Sequence, residues 1–300
     1  MCRRATNVKS KERSIEVNMK NLVCRFLGKI SRRLGLERRV IKAIKVPVLM
    51  DKLLVGRRAL ITGGSRGIGR AIARAFLNSG CEVVITGRDA LTLKATADEL
   101  SKIGPRVSYK VLDNSQIVEF PMAVEDIRSE FGEIDILVNN AGFTRGGTFL
   151  NSSEDGYDQV FDGILKGSWF LSQEIAKRWC ENGIRGNILN ICSTSSLRPG
   201  YSPYTMCKNA ERAMTVGMAK KLIRYGIVVN GAGPGVTAVE RIVGDPNGDI
   251  AHAKNPSGRY ATEEEIANIA LVLVSDMGRM IVGDVVYVGG GAGVITFDDV

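Results

Sequence analysis

The stretch Pro203–Lys208, PYTMCK, sets a tyrosine and a lysine four residues apart. On a helix that spacing puts Tyr204 and Lys208 on one face. A tyrosine titrates at about 10 and is a poor base at neutral pH. An ammonium one turn away favours the phenolate, so such a tyrosine can exchange a proton with a substrate oxygen. The same spacing also suits a core tyrosine beside a surface lysine. None of the six other tyrosines has a lysine four residues on. Eleven residues before Tyr204, ILNICSTSS ends a predicted strand and brings Ser193 to the sheet edge where parallel sheets bind ligands. Ser193 can hydrogen-bond the same oxygen; Thr194 and Ser195 are its rivals, and a plain turn serine is the alternative.

A second stretch, TGGSRGIG (Thr62–Gly69), lies between a predicted strand and helix. Gly63, Gly67 and Gly69 let backbone approach a pyrophosphate, and a helix N-terminus offers it free N–H groups and the positive end of a dipole. The spacing is G-x-x-x-G-x-G rather than the general dinucleotide pattern G-x-G-x-x-G. About 20 residues on, an acidic residue reads an adenosine ribose, whereas arginine suits its 2′-phosphate. The second predicted strand runs into Arg88, and Arg66 sits within the glycine turn. Both favour NADP(H) over NAD(H). Asp89 points the other way, and two solvated surface arginines would read the same.

These residues need elements to carry them. From Arg57 the chain alternates apolar β-branched runs with amphipathic stretches. Strands are predicted at RALIT, EVVITG, VSYKVLD, IDILVNNAG, GNILNICS, IVVNGAGPG and GDVVYVGGG. Helices are predicted over RAIARAFLNSG, with Gly80 as its stop, ALTLKATADELSKIG, part of SQIVEFPMAVEDIRSEFG with Pro121 as start or kink, residues 155–180 as one long helix, residues 204–225, and TEEEIANIALVLVSD. This alternation predicts a Rossmann-like α/β fold: a doubly wound parallel sheet of about seven strands with helices on both faces.

Composition narrows the function classes. The 300 residues are 44% hydrophobic and 24% charged, enough for a sizeable core. Neither a spanning apolar run nor a signal peptide is evident, so a cytoplasmic setting is expected. Cys2, Cys24, Cys81, Cys180, Cys192 and Cys207 are scattered, and His252 is the single histidine. That speaks against a metal site or a Ser-His-Asp triad and for free thiols. The net charge of +9 is uneven: residues 1–56 carry +11 and the remainder −2. Basicity belongs to the extension, which argues against nucleic acid as a partner of the main fold.

The extension, residues 1–50, shows a broken helical stripe at Val23, Phe26, Leu27, Ile30, Leu34, Ile41 and Ile44 with basic residues opposite. Packing on the protein itself, an anionic membrane surface touched through residues 20–46, and a disordered tail are the three readings. Met50 opens a stretch that reads as an ordinary domain start, so residues 51–300 are expected to form one domain.

Taken together, TGGSRGIG, NNAG (Asn139–Gly142), YTMCK and GPG (Gly233–Gly235) resemble, in order and context, the short-chain dehydrogenase/reductase family, over roughly residues 53–291. The resemblance implies an NAD(P)-dependent oxidoreductase acting on a carbonyl/alcohol pair of 3-oxoacyl thioester, hydroxysteroid or sugar type. It implies Tyr204 as acid/base, Lys208 on the nicotinamide ribose and Ser193 orienting the carbonyl. Asp113 would contact adenine, Asn140 and Gly142 the cofactor floor, and Pro234 and Gly235 the nicotinamide pocket. Ser65, Ile68, Asn114 and Ala141 join the expected cofactor contacts. A homodimer or homotetramer is implied as well, through the fourth and fifth helices.

Three departures stand out. The family's usual asparagine before LKG, which anchors a water of the proton relay, is Ile164 here. The Ser-to-Tyr spacing is shorter than usual. Val239 stands where a threonine is common, with Thr237 as substitute carboxamide contact. The rival readings are an enoyl-type C=C reductase and a cofactor-binding sensor or scaffold with little turnover.

Overall fold

The structure, a computed structural model, describes residues 52–246 and 248–295. The chain divides into two units, Met1–Pro47 and Val48–Val300, and every described element belongs to the second. The apolar stripe of Val23–Ile44 lies outside the described residues.

Seven strands form one sheet: β1 (Arg58–Thr62), β2 (Glu82–Gly87), β3 (Val107–Val111), β4 (Ile136–Asn139), β5 (Asn187–Ile191), β6 (Val228–Pro234) and β7 (Val285–Val288). Their order is β3-β2-β1-β4-β5-β6-β7, and every pairing is parallel. The chain reverses direction across the sheet between β1 and β4. The carboxyl ends of those two strands therefore flank a crevice, the place where open parallel sheets take ligands.

Eight α-helical segments connect the strands: α1 (Gly67–Asn78), α2 (Ala90–Leu100), α3 (Phe120–Phe131), α4 (Glu154–Val160), α5 (Gly167–Asn182), α6 (Pro203–Leu222), α7 (Glu240–Val243) and α8 (Glu263–Val274). Alternate strand residues face opposite ways, and the core splits accordingly. Ala59, Ile61, Val83, Ile85 and Val138 pack with Ile72, Phe76, Leu93, Ala270 and Leu273 from α1, α2 and α8. Leu60, Val84, Leu137, Ile188 and Val229 pack with Phe120, Ile127, Leu171, Ile175 and Trp179 from α3 and α5. Burying strands on both faces explains why they read as apolar runs without alternation.

Caps set the helix starts that matter for the site. Ser202 accepts from the Thr205 backbone N–H at 3.2 Å and Pro203 occupies the first turn, which starts α6 just before Tyr204. Pro121 sits likewise in the first turn of α3 and begins that helix rather than kinking it.

The expected single helix over residues 155–180 is a departure. Between α4 and α5 the segment Phe161–Lys166 winds as a π-helix. The Asn114 side chain donates from Nδ2 to the Gly163 carbonyl at 2.9 Å, a bond from outside the helix. Such outside competition for a carbonyl accompanies widened turns, which recur at functional sites.

Candidate active site

The glycine turn joins β1 to α1. Gly63 and Gly67 adopt φ of 62° and 59°, a region that favours glycine. Gly69 has another reason: a Cβ there would run into the Asn140 side chain and the Gly63 carbonyl. The turn is tied to the β4 end by side chains. Asn140 donates from Nδ2 to the carbonyls of Thr62 and Gly63 at 2.9 and 3.0 Å, while the Thr62 hydroxyl accepts from the backbone N–H groups of Asn140 and Ala141 at 2.9 and 3.0 Å. Thr96 fastens the turn from α2 through the Ser65 carbonyl at 2.9 Å.

Above this turn opens a cleft of about 1610 Å³, and every residue expected at the site lines it: Gly63, Ser65, Arg66, Gly67, Ile68, Gly69, Arg88, Asp113, Asn114, Asn140, Ala141, Gly142, Ser193, Tyr204, Lys208, Pro234, Gly235 and Thr237. Several also have structural work. Asn140 latches two loops, Asn114 grips the π segment, and Asp113 accepts from the Ser115 backbone and hydroxyl at 2.9 and 2.8 Å. Thr237 donates to the Gly235 carbonyl at 3.1 Å. Asp89, the residue that opposed the arginines, caps α2 by accepting from the Thr92 N–H at 2.7 Å. Those hydrogen bonds to Thr92 hold its carboxyl below the usual range. Arg66 and Arg88 are exposed, and neither forms an ion pair among the described residues.

At the other wall, Ser193 ends the β5 loop and accepts from the Ser195 N–H at 3.1 Å. The Lys208 ammonium stands 5.8 Å from the centre of the Tyr204 ring. Lys208 is 4% exposed and donates to the Ile191 carbonyl at 2.9 Å. Its second partner is Glu211, 1% exposed, with Nζ and Oε2 2.6 Å apart. Burial alone would pull the lysine down; the Glu211 carboxylate, with Tyr204 next, holds it above its ordinary range. Ile164 is fully buried in a small apolar cluster with Val160 and Cys207, against which Phe143 and Tyr204 pack. Burial pushes the Cys207 and Cys192 thiols up to about 12, so both stay neutral at physiological pH.

Residues 63–293 match a family model described as enoyl-(acyl carrier protein) reductase. Gluconate 5-dehydrogenase of Gluconobacter oxydans is 36% identical over 247 residues, 79% of this chain and 95% of the relative. The chain belongs to the short-chain dehydrogenase/reductase family. It is also 33% identical to a 3-oxoacyl-acyl-carrier-protein reductase of Aquifex aeolicus over 81% of this chain and 99% of the relative. A gluconate 5-dehydrogenase from Burkholderia cenocepacia, solved in complex with NADP and tartrate, superposes with a TM-score of 0.75 at 32% identity, covering 82% of this chain and 99% of that one. This short-chain dehydrogenase/reductase is an NAD(P)-dependent oxidoreductase with a Rossmann-like nucleotide-binding fold.

Three features of the oxidoreductase's site escaped sequence reasoning. The Thr62 hydroxyl, which accepts from the middle of NNAG, carried no signal of its own. The π segment looked helical because π and α turns share an apolar pattern at low resolution of period. Glu211 was visible in principle, since a glutamate three residues after Lys208 shares its helix face. Among the described residues no helix is long and apolar enough to cross a membrane. No group of three or more His, Cys, Asp or Glu could hold a metal ion among them.

Proposed function

We propose that this protein is an NADP(H)-dependent oxidoreductase of a carbonyl/alcohol pair, of sugar, 3-oxoacyl thioester or hydroxysteroid type. One observation carries the reading: Tyr204 and Lys208 share a helix face on the wall of the same cleft that the glycine turn opens. Bound there, the dinucleotide supplies or accepts the hydride. The protein's own groups do the rest. Positive-φ glycines and the N-terminus of α1 cradle phosphate. Tyr204 gives its phenolic proton to a nascent alkoxide or takes one from an alcohol. Ser193 donates a hydrogen bond to the same oxygen. Lys208 keeps positive charge beside the phenol.

The fit to a 2′-phosphate rests on Arg66 and Arg88, exposed and without ion pairs among the described residues, and on Asp89 being engaged as a helix cap. The NADP bound by the Burkholderia relative supports the same preference. An NADPH- and NADH-linked screen over ketones, sugar acids, acyl thioesters and steroids, with Tyr204→Phe as control, tests the reading. Turnover that survives in the phenylalanine variant would sink it.

Ile164 and the description of the matched family model favour a second reading, reduction of a conjugated C=C bond. Enoyl thioesters in the same screen separate the two: consumption of enoyl substrates with ketones untouched selects the second.

A homo-oligomer is also proposed. Most of the apolar stripe of α5 faces the core, but Trp169 and Phe170 remain 46% and 39% exposed, and Val216 on α6 52%. Self-association would cover these side chains. A single-chain mass in light scattering at micromolar concentration excludes it. The free thiols Cys81, Cys180, Cys192 and Cys207 support a reducing, cytoplasmic setting.

A further inference from the structure

Lys208 has three N–H donors and no acceptor. One is committed to the Ile191 carbonyl at 2.9 Å, and a second side of the ammonium faces Glu211 Oε2 at 2.6 Å. That leaves one direction for the cleft. Glu211 in turn has little else to hold: its Oε2 is buried and makes no hydrogen bond to another group. A buried ion pair is a weak stabilising device, and an apolar residue of similar volume commonly serves a core as well or better. A carboxylate kept in such a place points to a task at the ammonium.

On the same helix Tyr204 packs, with Phe143, against the apolar cluster of Val160, Ile164 and Cys207, which brings no carboxylate to the site. We propose that Glu211 is a positioning residue of this site: its carboxylate keeps the Lys208 ammonium charged and aimed between the Ile191 carbonyl and the cleft. The inference rests on the reading above, in which Lys208 meets the nicotinamide ribose and serves Tyr204.

The other ionisable groups about the ammonium are few. Tyr204 and Cys207 lie on α6 with it, Cys192 closes in from the end of β5, and Arg212 follows Glu211 in sequence. Both thiols remain protonated through the neutral and mildly alkaline range. Glu211 is thus the carboxylate that offsets the burial of Lys208. Without it, burial dominates, and a buried lysine sheds its proton at a pH lower by several units. The charged form exists below that lowered value and disappears as pH rises through it.

The test measures NADPH binding by the nucleotide's own fluorescence, from about pH 6.5 to about 9.5. The full chain is compared with Glu211→Gln, Glu211→Leu, Glu211→Asp and Lys208→Met. The parent and Glu211→Asp are expected to hold constant affinity across the range. Glu211→Gln and Glu211→Leu should lose at least about tenfold between its two ends, the scale of a hydrogen bond to a charged group. Lys208→Met should be weak throughout and flat. Melting curves identify any variant that fails to fold; if leucine does so, glutamine decides. Flat, parent-like binding by folded Glu211→Gln overturns the inference while leaving the proposed function intact. A parent chain that binds neither NADPH nor NADH removes both.

Discussion

Around the glycine turn the cleft wall is backbone. Gly63 and Gly67 hold positive φ, Gly69 has no room for a Cβ, and the two guanidiniums nearby, Arg66 and Arg88, are exposed. Across the cleft, on α6, the wall is side chain. Lys208 and Glu211 are almost wholly buried, and Tyr204 leans on Ile164 and Cys207. Under the proposed function the first wall would meet a diphosphate with backbone N–H groups and exposed guanidiniums. A proton-transfer group has to be set before the substrate arrives, and burial with a fixed counter-charge does that. One wall therefore depends on what the backbone can do without side chains, the other on which side chains the fold crowds together.

Substitutions can sharpen that contrast or erase it. Tyr204→Phe removes one oxygen from the side-chain wall. Turnover should drop by about a thousandfold, the scale of a positioned acid/base, with NADPH affinity and melting temperature close to the parent. Gly69→Val attacks the backbone wall, where the new Cβ meets the Asn140 side chain and the Gly63 carbonyl. Overpacking at such a point costs about 1–3 kcal/mol of stability, and NADPH affinity should fall with it. Equal losses of affinity in both variants would mean that the two walls do not divide the work as described.

A finer pair of changes separates charge from capping around Arg66, Arg88 and Asp89. Replacing Arg66 and Arg88 together by alanine should weaken NADPH by roughly tenfold or more and leave NADH nearly unchanged, since only the former carries the 2′-phosphate. Asp89→Ala should leave the NADPH-to-NADH ratio constant and lower the melting temperature by no more than about 3 °C for the lost cap. A marked gain in NADPH affinity in that variant would place Asp89 at the ribose after all.

The alternation of apolar runs and amphipathic stretches was enough to derive all seven strands and the parallel sheet, because strands buried on both faces leave that mark in any order of residues. The glycines of the turn were equally legible, since positive φ and close approach are demands on the backbone that glycine meets. So was the helical spacing of Tyr204 and Lys208. What escaped depends on neighbours distant in sequence. Asn114 reaches 49 residues ahead to the Gly163 carbonyl beside a π turn that no local pattern announces. Thr62 gathers the middle of NNAG from 78 residues away. Asp89 sets a doubt against the arginines on paper, and only its place at the head of α2 shows that it also caps that helix, accepting from the Thr92 N–H. Glu211 is a surface-type residue on paper, and only the packing of α6 against the sheet closes water away from it and leaves Lys208 as its counter-charge. Period and φ are properties of the chain itself; burial, and with it the strength of every charge in the site, arises when separate segments exclude water from one another.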